Sequence, residues 1–176
     1  ALVREGDLVE ALDVKGGNLA LIVDGDVANS GGIQAEHGNL ALLVEGDLRG
    51  EVTVPTGSTV RIRRDVLGTL RVKGGISTVV IDGDLAGKLE MHGICSALIR
   101  GRVLDPKTAL ELHGIHTVYL AGFVDRASIP TPTNSNGIHT LHLEDSDLEE
   151  AKTRGIAGYS EVIVGDAVWE KLKAGD

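Results

Sequence analysis

The chain of 176 residues fits a single domain, and it combines 24 glycines with only four aromatic residues. Apolar residues still make up 42% of it, so the core has to be aliphatic. The net charge of −9 would repel phosphate backbones, and there are few rings to stack on bases, which argues against nucleic-acid binding.

The composition also bears on cross-links and compartment. The single cysteine, Cys95, excludes an internal disulfide and is typical of a reducing compartment. No apolar run approaches the ~18 residues of a membrane span, and no basic segment followed by an apolar one opens the chain. We therefore expect a cytoplasmic protein that does not enter a membrane.

Similar segments recur along the chain, each opening with a glycine. Three clear copies read GNLALIVDGDV, GNLALLVEGDL and GISTVVIDGDL. The glycines that open the copies are Gly17, Gly38, Gly57, Gly75, Gly93, Gly114, Gly137 and Gly155. Their spacing is 18 to 23 residues, which is too short for a strand–helix–strand unit of about 30 residues.

Within each copy apolar residues alternate, as in Leu21, Val23 and Val27, and glycine-rich corners bound them; this pattern predicts short strands. Strands repeated at about 20 residues can pair in parallel with their equivalents in the next coil. We predict an all-β fold: a single right-handed parallel β-helix (β-solenoid) of about eight coils. A leucine-rich repeat has a similar period, but the copies lack its Asn or Cys ladder. The domain spans 1–176, with repeat coils over 1–158 and a C-terminal cap over 159–176.

Two segments depart from the repeat. The stretch 129–136 (IPTPTNSN) contains two prolines, which cannot donate ladder hydrogen bonds, so we expect it to bulge out as a loop. Near the C-terminus we expect a short helix or turn over 167–174, with Trp169 and Leu172 covering the last coil, because the end of a solenoid exposes unpaired backbone.

An aspartate recurs at one corner of the repeat, usually after glycine. Its members are Asp7, Asp26, Asp47, Asp65, Asp84 and Asp166. Stacked carboxylates could hold Ca²⁺, but Arg102 and Phe123 interrupt the column, and Gly-Asp is also what a tight corner requires. We interpret these aspartates as turn residues that hydrogen-bond the turn backbone.

A second column aligns Cys95, His116 and His139 on successive coils. Thiol and imidazole are zinc ligands, so these three residues are the candidates for a metal site. Repeat alignment alone would also bring them together, and no acidic partner accompanies them at motif spacing. We therefore predict neither a metal nor another cofactor.

Enzymatic function has one candidate region. Parallel β-helices include polysaccharide lyases and hydrolases, whose sites combine carboxylates with basic and aromatic residues in a groove. Here acidic residues cluster in one coil beside the histidines: Glu144, Asp145, Asp147, Glu149 and Glu150. With four aromatic residues in the chain, a sugar-stacking groove is hard to build, and we interpret the cluster as a solvated edge. We assign no catalytic residue and favour a non-enzymatic role.

The outward positions of the same strands form an apolar stripe, broken by Arg61 and continued by His142. The stripe consists of Ile22, Leu43, Val80, Leu98 and Tyr119. An exposed aliphatic ladder of several coils is typical of an interface. It predicts a homo-oligomer or a protein partner.

The recurring turns Val44–Gly50 (VEGDLRG) and Ile81–Gly87 (IDGDLAG) resemble those of bactofilins, polymer-forming bacterial cytoskeletal proteins. The resemblance covers about residues 1–125 and implies a β-helix that polymerises end to end, without nucleotide, in a scaffolding role. Two alternatives stay open: a carbohydrate-active β-helix and an acidic DNA mimic. Interspersed basic residues such as Arg63, Arg64 and Arg71 argue against the mimic.

Overall fold

The computed structural model describes residues 2–121, 129–144 and 156–164. These residues form thirteen β-strands and contain no helix, and hence none that could cross a bilayer. The strands are β1 (Leu2–Arg4), β2 (Ala11–Val14), β3 (Leu19–Val23), β4 (Gly32–Ala35), β5 (Leu40–Val44), β6 (Glu51–Val54), β7 (Thr59–Ile62), β8 (Thr69–Val72), β9 (Ile76–Ile81), β10 (Lys88–Ile99), β11 (Leu110–Leu120), β12 (Thr133–Leu143) and β13 (Glu161–Val164).

The strands pair in parallel with their equivalents 18 to 23 residues away. The first sheet follows the order β1, β3, β5, β7, β9 and continues through the C-terminal halves of β10, β11 and β12 to β13. The second sheet runs through β2, β4, β6 and β8 into the N-terminal halves of β10 and β11. A third side is held by single bridges between residues such as Leu48 and Val66. The predicted all-β solenoid is confirmed, with about seven turns.

The core is a set of stacked aliphatic columns inside the turns. Val79 pairs with Ala97, which pairs with Val118, which pairs with Leu141, and all four are fully buried. The predicted inward positions Leu21, Val23 and Val27 are buried as well. The strands of the first sheet, such as β5, β7 and β9, are four to six residues long, and every second side chain points inward. Two or three side chains per strand therefore fill the interior.

The proline-containing segment does not bulge out along its whole length, contrary to the prediction. Ile129 is buried in the core, Pro130 and Pro132 are buried too, and from Thr133 the chain is strand β12. Prolines cannot donate, but their carbonyls can accept: Thr131 N donates to Pro106 O (2.9 Å) and Tyr159 Oη to Pro130 O (2.9 Å). These bonds hold the segment against the solenoid.

At the C-terminal end, β13 lies within the segment predicted as a cap. It pairs in parallel with β12, for example Leu141 with Val162, so the solenoid continues to Val164. The helix predicted over 167–174, with Trp169 and Leu172, lies outside the described residues.

The corner aspartates form a hydrogen-bonded ladder between coils. Each Oδ1 accepts the backbone N–H of the equivalent residue one coil later, at 2.8 Å from Asp26 to Asp7 and 2.7 Å from Asp84 to Asp65. We expected each aspartate to hydrogen-bond the backbone of its own turn. The bond goes to the next coil instead. Arg102 continues the ladder through its N–H to Asp84 (2.7 Å), whereas Phe123 and Asp166 lie outside the described residues.

Glycine precedes most of these aspartates because successive corners touch. A Cβ on Gly83 would lie 2.3 Å from Asp65 Oδ1 and 2.6 Å from the Arg64 carbonyl carbon. No side chain fits there without moving the backbone. The Gly-Asp pair thus combines close approach with a bond between coils.

Replacing Asp65 tests the ladder. Asp65→Ala leaves the N–H of Asp84 without its acceptor, so we expect the free energy of unfolding to fall by about 1–2 kcal/mol. Asp65→Asn keeps an acceptor oxygen and should stay close to wild type. Urea denaturation measures both, with the exposed Asp24→Ala as the control. Equal losses in the Ala and Asn variants would show that the charge, and not the ladder bond, matters.

Candidate functional site

The residues of the predicted stripe lie in one register row on the outer side of the first sheet. Ile22 pairs with Leu43, and the row continues through Arg61, Val80 and Leu98 to Tyr119 and His142. The rings of Tyr119 and His142 stack, with centroids 4.5 Å apart. Since neighbours in the row cover one another, these side chains are partly exposed or, at Leu98 and His142, nearly buried.

A second apolar row on the same sheet is more exposed, and the sequence analysis missed it. It is formed by the isoleucines that follow the marker glycines, and its exposures are 76%, 51%, 51% and 57% for Ile76, Ile94, Ile115 and Ile138 respectively. They pair in register on successive coils. Ile76 precedes the stripe residue Val80 by four residues, and strand residues separated by an even number lie on the same face of a sheet. This spacing could have predicted the isoleucine row.

A row of small side chains lies between the isoleucine row and the stripe. Its members are Ala20, Ala41, Thr59, Thr78, Ser96, Thr117 and Thr140. The three rows together make a regular side that we call the outer face.

The outer face has a shallow, open depression toward its N-terminal end. There the isoleucine row is replaced by Asn18, Asn39 and Gly57, which border a depression of about 480 Å³. Ala20 and Ala41 complete its floor. The face thus carries large apolar side chains at one end and a shallow depression bordered by Asn18 and Asn39 at the other.

A charged edge borders the outer face beyond the stripe. In chain order it carries Asp24, Glu45, Arg63, Asp82 and Arg100, whose N–H groups continue the ladder of the first sheet. Arg63 Nε lies 3.4 Å from Glu45 Oε2, and Arg100 pairs with Asp82. Burial opposes ionisation of Asp82, but hydrogen bonds from Arg61 and Arg100 outweigh it and hold the pKa of Asp82 below its ordinary value.

The candidate metal residues do align inside the solenoid, as the repeat predicted. Cys95 pairs with His116, and His116 with His139. Cys95 Sγ donates to the carbonyl three residues earlier, His92 O (3.1 Å), and Ser77 Oγ in the preceding coil does the same to Gly74 O (3.3 Å). Burial raises the pKa of Cys95 to about 11, so it is a thiol and not the thiolate that metals prefer.

The two buried histidines stack instead of converging on a common point. His116 and His139 are 1% and 3% exposed, their ring centroids are 5.3 Å apart and the rings are 23° from parallel. Ring lone pairs lie in the ring planes, so stacked rings aim their nitrogens side by side. Among the described residues no group of three or more His, Cys, Asp or Glu side chains is placed to hold a metal.

Burial keeps both histidines neutral. It lowers the pKa of His116 to about 4, against a smaller opposing effect of the His113 carbonyl, and also lowers the pKa of His139. The ring nitrogens of both residues are buried without a hydrogen bond of good geometry. Protonation of either His116 or His139 would therefore place an unpaired charge in the core and destabilise the folded protein.

Two further histidines stack at the corner between the sheets. The rings of His92 and His113 are 4.6 Å apart, and each contacts a carboxylate, Glu90 at 2.9 Å and Glu111 at 3.0 Å. Lys88 bridges both carboxylates, and its hydrogen bond, with that of His113, holds the pKa of Glu111 below its ordinary value. These carboxylates are engaged in ion pairs on the surface.

Comparison with known proteins finds no matching family model, no similar curated protein and no similar solved structure. The bactofilin resemblance accordingly stays a prediction from the repeated turns.

The buried histidines predict a pH-dependent stability. In the unfolded chain His116 titrates near 6.5, and in the folded protein near 4, so the unfolded state takes up protons first as the pH falls. We expect stability to be fully present above about pH 6.5 and to decline toward pH 4, by on the order of 3 kcal/mol for this residue. Chemical denaturation across this range measures it.

His116→Leu is the matched variant, because it keeps an apolar group of similar size in the column. The difference in unfolding free energy between this variant and wild type should change between pH 7 and pH 4.5. A constant difference would contradict the assignment. Carboxylates that titrate below pH 5 contribute equally to both proteins and cancel.

Proposed function

We propose that this protein is a non-enzymatic structural module, a β-solenoid scaffold that associates with copies of itself through its outer face. The observation that supports this most is the isoleucine row, four large apolar side chains more than half exposed and stacked on successive coils. Contiguous apolar surface of this kind is typical of an interface. The predicted stripe, from Ile22 to Tyr119, lies on the same face and extends it.

The rigidity of the face favours association. Each side chain of the isoleucine row is carried by a strand that is hydrogen-bonded on both sides. The backbone is therefore already ordered, and little of its conformational entropy is lost on binding. Scaffolds need such preorganised, repeated surfaces. The bactofilin-like turns imply the same kind of role.

The other functions have less support. The carboxylates Glu90 and Glu111 are engaged by Lys88 and histidines. Most of the acidic cluster of the carbohydrate-active alternative, Asp145 to Glu150, lies outside the described residues. For a DNA mimic, the charged edge carries Arg63 and Arg100 among its acidic residues instead of presenting an unbroken acidic row.

A pair of lysine substitutions tests the proposal. In Ile94→Lys/Ile115→Lys two charges enter the centre of the isoleucine row, where association would have to desolvate them. We expect the wild type to form larger species as concentration rises, and the variant to stay monomeric at tenfold or higher concentration. Sedimentation velocity and light scattering measure this, and circular dichroism checks that the strands persist.

Leu104→Lys is the control. Leu104 is 53% exposed, as much as Ile94 at 51%, but it lies on the third side of the solenoid, where its N–H bonds to Leu85 O. This variant should associate like wild type. A monomeric wild type at high concentration, or equal effects of the face and control substitutions, would refute the proposal.

A further inference from the structure

We propose that two copies pair outer face to outer face with their solenoid axes antiparallel, related by a twofold axis that runs parallel to the strands between Thr59 and Thr78. This inference rests on the proposed self-association and specifies its geometry. Three features of the outer face support it: its shape, its apolar rows and the signs of its charged edge.

The first feature is the shape. Rotation about this axis reverses the order of coils but keeps each row over its own equivalent in the partner copy. The protruding isoleucines then lie over the recessed end. Ile76 faces Gly57, Ile94 faces Asn39 and Ile115 faces Asn18 across the axis. The open depression of about 480 Å³ lies opposite the isoleucines in this arrangement.

The second feature is the pairing of the other two rows. In the small-residue row Ala41 faces Ser96, so the faces can approach to the ~10 Å of packed sheets. In the stripe Leu43 faces Leu98, and Ile22 faces Tyr119. Arg61 faces Val80, and its guanidinium reaches sideways to Asp82 (2.8 Å), which leaves its aliphatic stem for the contact.

The third feature is the charged edge, which fixes the register. Four of its five members, Glu45, Arg63, Asp82 and Arg100, alternate in sign along the axis; Asp24, which precedes them, is acidic like Glu45. Reversed about the proposed axis, Glu45 meets the Arg100 of a second copy and Arg63 meets Asp82. A shift by one coil in one direction opposes Arg63 to Arg100, and in the other direction Glu45 to Asp82. Like charges therefore penalise the neighbouring registers.

The size of the contact fits a reversible dimer. Six coils at about 4.8 Å each extend over about 29 Å, and the three intervals of about 7 Å between the four rows (isoleucine row, small-residue row, stripe and charged edge) extend over about 21 Å. The patch is therefore about 600 Å² per copy, or about 1,200 Å² in total, at the lower end of specific interfaces. We expect an association that depends on concentration.

Charge reversal tests the geometry. In the proposed dimer Glu45 meets Arg100 of the second copy twice, once on each side of the axis. Glu45→Arg turns both contacts into Arg–Arg contacts, and Arg100→Glu turns both into Glu–Glu contacts. We expect each variant to dimerise roughly tenfold more weakly than wild type. In an equimolar mixture the heterodimer has two opposite-charge contacts, so dimerisation should return to near the wild-type level. Sedimentation of the separate and mixed proteins measures it, with thermal unfolding as the check on each monomer.

A distance measurement gives an independent test that changes none of the four proposed charge contacts, because Asp24 faces Ala121 in the partner copy. A nitroxide on Asp24→Cys, at the first coil of the edge, should show an intermolecular distance of about 25 Å, from five coil spacings and the separation of the sheets. Cys95 does not interfere, because its thiol is buried. The antiparallel arrangement would be overturned if the mixture of Glu45→Arg and Arg100→Glu does not recover dimerisation, or if the nitroxide distance is far from 25 Å. Self-association itself would then still stand if the Ile94→Lys/Ile115→Lys variant is monomeric, and both proposals would fall if the wild type never associates.

Discussion

Parallel pairing in register is the interaction on which the rest of this structure depends. Because backbone groups of each coil bond to the next coil, every side chain lies about 4.8 Å from its equivalent on the neighbouring coil. Apolar equivalents such as Ala97 and Val118 gain from this arrangement, since each covers the next. Charged equivalents would repel, and in its acidic columns the protein resolves this in two ways. The corner carboxylates accept backbone N–H groups, as Asp65 does, whereas the stacked Glu90 and Glu111 share Lys88.

The same constraint explains the polar column inside the solenoid. Ser77 and Cys95 follow a corner, and each donates to the carbonyl three residues back. At His116 and His139 the column holds imidazole rings, and burial lowers the pKa of both, which keeps them neutral at pH 7. Alignment of zinc-ligand residues in a repeat is therefore weak support for a zinc site. What matters is whether the lone pairs converge, and stacking prevents this.

Much of this fold follows from the sequence, because period and alternation determine which residues stack. The inward positions Leu21 and Val79 and the outward stripe could be predicted in this way. The prediction failed where packing decides. Ile129 packs into the hydrophobic core, and the carbonyls of Pro106 and Pro130 accept bonds that hold the segment there, which the absence of proline donors does not reveal. The ladder partner of Asp65 could not be predicted either, since it depends on how closely two corners approach.

The charged edge connects folding with recognition. Within one chain, Glu45, Arg63, Asp82 and Arg100 alternate in sign, which lets each neighbour on the axis attract rather than repel. When a series of four alternating charges is reversed and laid against itself, every acidic residue meets a basic one. Glu45 then meets Arg100, and Arg63 meets Asp82. The alternation that relieves repulsion between coils thus makes the edge complementary to an antiparallel copy of itself. The apolar rows contribute contact area but tolerate sliding, whereas the edge penalises a shift of one coil. In such an interface affinity and register have separate sources, and both arise from the repeat.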